Sequence, residues 1–208
     1  MFVDCNTYKF FRKDRPTRGG GDCILIKNSA TIVVSQVVVP SGFDDLDIVA
    51  IDLTDCNNTL PIRLIAVYRS PSMTSSDNAR LFSVLDLLAE DCVRLCVFGD
   101  LNLPHINWDL FVYPENFLYC SAVDFICNHG LTQLVSDPTR GDSILDLMLC
   151  SDLLCCDNVE VFPPLADSDH SVVFCTLCIS VPQSSVPGNN YAGYNYHKAN
   201  WFGLCNYL

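Results

Sequence analysis

The 208-residue sequence predicts an α/β (α+β) chain, built as a two-sheet β-sandwich flanked by helices. Short β-rich runs recur between Gly, Asn, Asp and Pro turns, and only two stretches carry a helical period. Half of the residues are hydrophobic and 17% are charged, which supplies a sizeable core and excludes global disorder. A doubly wound parallel sheet would need helices between most of its strands, and two are too few.

In chain order, a basic segment comes first, with Lys9, Arg12, Lys13, Arg15 and Arg18 interleaved with Tyr8, Phe10 and Phe11. Gly19-Gly20-Gly21 then leads into Cys23–Lys27. No Lys-Ser/Thr pair and no helical pattern follows the glycines, so they do not read as a phosphate cradle. β-rich runs at Thr31–Val39, Leu46–Leu53 and Arg63–Tyr68, punctuated by Asp44-Asp45 and Asn57-Asn58, continue what reads as an antiparallel meander.

Ser75, Ser76 or Asp77 can cap a helix running to about Glu90, with Leu81, Leu85 and Leu88 as its buried stripe. The strand Val93–Phe98 follows. A second helix is expected over Phe117–Asn128, with Phe117, Val123, Phe125 and Ile126 inward and Gly130 as its stop. Short strands near Leu131–Val135, Ile144–Cys150, Val159–Phe162 and Ser171–Ile179 complete the set. From about Pro182 the composition turns to Ser, Pro, Gly, Asn and Tyr, a linker that closes on a short helix-like Trp201–Leu208.

Composition bounds the function. No apolar run approaches the roughly 18 residues that cross a bilayer, and no secretion signal is visible, so a soluble protein with no membrane partner is expected. Thirteen cysteines, odd in number and scattered from Cys5 to Cys205, read as reduced intracellular thiols. Cys175-Thr-Leu-Cys178 has the spacing of a metal knuckle, but strand residues three apart face opposite ways and no second Cys/His pair accompanies it. A net charge of −12 sits awkwardly with nucleic acid, although five of the twelve basic residues are gathered in the N-terminal segment. That segment could run along phosphates or be a solvated loop.

Four polar clusters end apolar strands or precede one. In Val97-Phe98-Gly99-Asp100-Leu101-Asn102, residues i and i+2 share a side, so Asp100 and Asn102 can reach one pocket. A carboxylate that deprotonates water beside an amide that holds an oxyanion suits phosphoester hydrolysis, while the same residues also build ordinary turns. Tyr68, at the exit of Leu64–Val67, can donate to a phosphate oxygen or sit at the edge of the core. Asp146 is a lone carboxylate among aliphatics and needs a partner. His170, in Ser168-Asp169-His170-Ser171, could be that partner, with Asp169 supporting a metal or the attacking water, or it could be a satisfied structural histidine.

Taken in order, these clusters resemble the endonuclease/exonuclease/phosphatase superfamily, which has the DNase I-like fold, and most closely the endonuclease domain of non-LTR retrotransposons. The motifs that carry the resemblance are Arg12-Lys13-Asp14-Arg15 through Gly19-Gly20-Gly21, Val67-Tyr68-Arg69-Ser70-Pro71, Phe98-Gly99-Asp100-Leu101-Asn102, Leu131-Thr132-Gln133-Leu134-Val135, Pro138-Thr139-Arg140 with Leu145-Asp146-Leu147, and Ser168-Asp169-His170. The resemblance spans roughly Tyr8 to Ile179. It implies a metal-dependent phosphodiesterase that nicks DNA, with the site in the cleft at one end of the sheets. Asp100 would activate water, and Asn102 and His170 would stabilise the developing charge. Asp146 would hold His170, Asp169 would organise magnesium (or manganese), Tyr68 would contact the phosphate, and Arg69 and Thr139 would line the substrate side.

It further implies a domain at residues 1–180, a linker at 181–208 toward a reverse transcriptase domain of the same parent polypeptide, DNA as partner, and an intracellular location, nuclear when acting on chromosomal DNA. In this family an asparagine-bearing strand and a strand with a metal-binding glutamate precede the segment resembling Tyr8–Lys27. Only seven residues precede Tyr8, and Asp4 and Asn6 lie too close to the basic segment to replace both. The sequence therefore leads us to expect a domain without its first strands, lacking a metal ligand. The alternative function is a catalytically dead remnant acting at most as a binding module.

Overall fold

The structure is a computed structural model and describes residues 6–14, 21–56 and 60–179. The expected linker, its terminal helix, Asp4, Arg15, Arg18 and the first two glycines of the triplet lie outside the described residues.

Three strands, β3 (Ile32–Val37), β4 (Asp47–Asp55) and β5 (Ile62–Tyr68), form the antiparallel meander. The helix α1 (Ser75–Ala89) then carries the chain to β6 (Arg94–Asp100), which lies parallel to β5. After α2 (Phe117–Asn128), the two-residue β7 (Thr132–Gln133) and β8 (Asp146–Cys150) complete a six-stranded sheet in the order β3-β4-β5-β6-β8-β7. Two hairpins remain: β1 (Tyr8–Asp14) with β2 (Gly21–Lys27), and β9 (Cys156–Phe162) with β10 (Val172–Leu177).

The sandwich follows from strand parity, because alternate residues of each central strand face opposite sides. Ile65, Val67, Val97, Leu147 and Leu149 point to the side that Leu81, Leu85, Leu88 and Phe125 of the helices cover. Leu64, Ala66, Cys96, Met148 and Cys150 point to the other, where they meet Ile24 and the partly buried Phe11, Val173 and Leu177 of the hairpins.

Several sequence expectations shift. Cys23–Lys27 does not extend the meander; it pairs with Tyr8–Asp14, and the front of the basic segment is thus a strand. The cap of α1 is Thr74, whose hydroxyl accepts from the Asp77 amide while Asp77 accepts from the Thr74 amide, a reciprocal box that Ser75 and Ser76 are placed too late to make. Phe117 is 53% exposed because it opens α2 on the side away from the sheet, whereas Val123, Phe125 and Ile126 are buried. Among the described residues no helix is long and apolar enough to cross a membrane.

Candidate active site

The parity that sorts the core also gathers the polar strand ends. On β5 the residues on the hairpin side run Ile62, Leu64 and Ala66, so Tyr68 follows them onto that face. On β6, Cys96 and Phe98 lead to Asp100, and on β8 Met148 and Cys150 share their face with Asp146. Asp100 and Asp146 are opposed across the β6–β8 ladder. His170, just before β10, completes the group: its Nδ1 lies 2.8 Å from Asp146 Oδ2 and its Nε2 3.9 Å from Asp100 Oδ2. A carboxylate only accepts, so the Asp146 bond places a proton on Nδ1 and turns Nε2 toward Asp100.

The turn after β6 rests on backbone geometry. Gly99 has φ +134°, and a Cβ there would stand 2.0 Å from the Val67 carbonyl oxygen, so only glycine lets β5 and β6 approach this closely. The Arg69 amide donates to the Asp100 carbonyl across that approach, at 2.9 Å. Asn102 then takes φ +48°, a left-handed conformation that asparagine tolerates. Its backbone N–H donates to Asp100 Oδ1 at 3.0 Å and its Nδ2 donates to the Arg69 carbonyl at 2.8 Å. One amide hydrogen of Asn102 is thus committed to the main chain.

Arg69 and Thr139, which the resemblance offers as substrate contacts, are both buried among main-chain groups. Arg69 is 3% exposed, and its guanidinium donates to Asn78 Oδ1 at 2.7 Å and to the carbonyls of Leu101 and Asn102 at 3.2 and 3.0 Å, bracing the turn from behind. Thr139 is fully buried, with its hydroxyl accepting the amides of Leu145 and Asp146 at 3.0 Å each and its carbonyl accepting from Ser171 at 2.7 Å. It therefore fixes the backbone beside both Asp146 and His170. Asp169 is held by Arg140 at 2.6 Å in an exposed ion pair. Asn78 was not singled out from sequence, although a signal was present: it lies three residues before Leu81 on the buried stripe of α1, where a polar side chain needs a partner.

Burial pushes the Asp100 carboxyl above the usual carboxylate range, and the negative charge of Asp146 pushes it further; the Asn102 amide and His170 pull the other way. Such a carboxylate is a stronger base than an exposed one. With an oriented imidazole beside it, the pair can accept a proton from water and steady a developing negative charge. Magnesium is held by one or two carboxylates together with water and substrate phosphate, and the carboxylates this face offers are Asp100 and Asp146. Among the described residues no three His, Cys, Asp or Glu side chains stand together so as to hold a metal, and the expected ligand Asp169 is engaged by Arg140.

Comparison with known proteins agrees with this architecture. The profile of a family described as "Endonuclease-reverse transcriptase" matches residues 62–174, more than half of the chain. The structure resembles the endonuclease domain of TRAS1, a telomere-specific non-LTR retrotransposon, with TM-score 0.61 and 16% identity over 82% of this chain and 80% of that one. D. rerio TDP2, solved with a single-strand DNA product, aligns with TM-score 0.53 and 13% identity over 82% and 77%. The human Nocturnin catalytic domain aligns with TM-score 0.51 and 16% identity over 84% and 74%. At these identities the likeness is one of fold. No curated protein sequence matches significantly.

Proposed function

The chain belongs to the endonuclease–reverse transcriptase family, within the endonuclease/exonuclease/phosphatase superfamily, and from that premise we propose that it is a DNA-nicking phosphodiesterase domain. The observation that carries this reading is the set Asp100, Asp146 and His170, converged on one face at the sheet end with Tyr68 on the neighbouring strand.

In this mechanism a water attacks phosphorus while Asp100 accepts its proton, the bond from phosphorus to the leaving deoxyribose oxygen breaks, and that oxygen takes a proton from solvent. His170, oriented by Asp146 through Nδ1, donates from Nε2 to the developing negative charge in its doubly protonated form, and Asn102 keeps the turn that aims Asp100. Tyr68 meets the phosphate. Superfamily nucleases generally use divalent metal ions. Magnesium or manganese is therefore part of the proposal: it would be held by carboxylates of this face with water and the substrate phosphate, and would offset charge on that phosphate. The wider reading places the domain beside a reverse transcriptase on a parent polypeptide, acting in the nucleus.

One observation favours a second reading, a domain that keeps the fold and binds without cutting: Asp169, the carboxylate expected to organise the metal, is engaged by Arg140 at 2.6 Å. A supercoiled-plasmid nicking assay with magnesium or manganese separates the two. The first reading expects open circles with either ion, and at least a hundredfold loss in Asp100→Ala and His170→Ala, in line with removal of a general acid–base group. Unchanged nicking in those variants sinks the mechanism. Plasmid retardation without nicking, in the wild-type chain, establishes the second reading.

A further inference from the structure

Cys96 and Cys150 stand opposite one another on the β6–β8 ladder, both fully buried, with their Sγ atoms 3.4 Å apart. The phase of the ladder is set at its ends, where the Leu101 amide donates to the Leu145 carbonyl and the Ser151 amide to the Leu95 carbonyl. Main-chain bonds alternate from rung to rung in an antiparallel pair, so Leu95, Val97, Gly99 and Leu101 sit at bonded rungs, and Cys96, Phe98 and Asp100 at the open rungs between them. At an open rung the Cα atoms are about 4.5 Å apart, within the range that a disulfide spans. A bond of about 2.0 Å needs the two sulfurs to close by little more than an ångström.

Packing alone would ask only for two small apolar side chains at this rung, whereas two facing thiols add a reaction. Cys150 donates its proton to the Asp152 carbonyl at 3.1 Å, which leaves its sulfur to accept the Cys96 S–H. That donation from Cys96 pulls the Cys150 thiol below its usual range, against the opposing effect of burial, and the thiolate is the form that attacks. Cys150 is also the last residue of β8, so fraying of a strand terminus is enough to admit an oxidant little larger than water. Two open rungs further along the same face, past Phe98 and Met148, stand Asp100 and Asp146. Like charges that face each other across a ladder push its strands apart, and a covalent link on the same ladder resists that push.

We propose that Cys96 and Cys150 form an oxidation site, at which hydrogen peroxide writes a cross-strand disulfide that staples β6 to β8. The Cys150 sulfur attacks one peroxide oxygen: the S–O bond forms, the O–O bond breaks, and the departing hydroxide leaves with the Cys150 proton as water. The Cys96 sulfur then attacks the Cys150 sulfur: the S–S bond forms, the S–O bond breaks, and the second hydroxide leaves with the Cys96 proton as water. The two thiols lose two electrons and the peroxide gains them. The site stands whether or not the domain cuts DNA.

The test treats the full chain with a molar excess of hydrogen peroxide, blocks the remaining thiols with iodoacetamide in urea, and maps non-reduced tryptic peptides by mass spectrometry. Trypsin cuts after Arg140 and so separates the two cysteines. The Cys96 peptide is expected to be joined to the Cys150 peptide in most chains, and dithiothreitol is expected to release it. The oxidised protein should melt at least about 4 °C above the reduced one, because the link closes a long loop of the unfolded chain. Cys96→Ser and Cys150→Ser, each compared with its own reduced form, should lose both the link and the shift. Cys127→Ser, which replaces an exposed thiol, should keep both. The wild-type map decides even where a serine variant fails to fold. Other cysteine pairs joined in place of this one, thiols at 96 and 150 that stay free, or sulfinic acid at either position overturns the proposal. So does a link that leaves the melting temperature unchanged or lower.

Discussion

On one face of the central sheet, Ile65, Val97 and Leu149 are fully buried beneath Leu81, Leu85 and Phe125 of two packed helices. On the other, Leu64, Cys96 and Met148 lie beneath two hairpins that share no ladder among the described residues, and Val173 and Leu177 are only half-buried. Both faces come from the same strands, one residue apart. A helix satisfies its own backbone and needs only apolar contact to close a face, whereas a strand also needs an edge partner. The helical face supplies the rigid support, and the hairpin face carries every one of the polar groups gathered at the sheet end.

Gly99→Ala strikes both faces at once, because its Cβ would collide with the Val67 carbonyl at the β5–β6 approach. Loss of cooperative unfolding in urea, or destabilisation of about 4 kcal/mol or more, is expected. An unperturbed urea midpoint would show that the approach can relax. Next in size, Leu85→Ala on the helical face should cost about 3 kcal/mol by cavity formation, and Leu177→Ala on the hairpin face about 1 kcal/mol, since less surface is withdrawn from water there. Equal losses in chemical denaturation would erase the contrast between the faces.

Asp100→Asn probes the polar end of the hairpin face. The folded-state pKa of Asp100 is raised, so its contribution to stability is full below the unfolded-state value and declines as pH rises through the folded-state value. At pH 7 the asparagine variant should therefore melt higher than wild type while losing nicking, and the gain should fade on acidification toward pH 4, near the ordinary aspartate value of about 3.9. A lower melting temperature at pH 7 would contradict the assigned cause. The smallest effect belongs to Asp86→Asn, which breaks the His129 contact of 2.8 Å joining α2 to α1. At this partly exposed pair a change below about 0.5 kcal/mol is expected in the same denaturation experiment.

What could be read in advance divides along local and distant causes. The span of α2 and the Leu81, Leu85 and Leu88 stripe of α1 follow from spacing within a few residues, whereas Asn102 meets Asp100 through a left-handed turn that strand alternation does not describe. The β1 strand was hidden because its lysines and arginines read as solvated, and only pairing with β2 makes it extended. Arg69 and Thr139 are offered as substrate contacts by the resemblance, which carries no information on their burial. Their burial depends on Asn78, on the carbonyls of Leu101 and Asn102, and on the Leu145 and Asp146 amides, none of which sequence spacing places. Asp169 met Arg140 for the same reason.

The neighbours Gly99 and Asp100 differ in what holds them in place. Glycine at 99 is required by the fold itself, whereas an ionised Asp100 weakens the fold by its burial beside Asp146. Asparagine at 100 would relieve that penalty, while any side chain at 99 would push β5 and β6 apart. The two neighbours therefore answer substitution in opposite ways: position 99 guards the shape of the turn, and position 100 guards the charge that the turn presents.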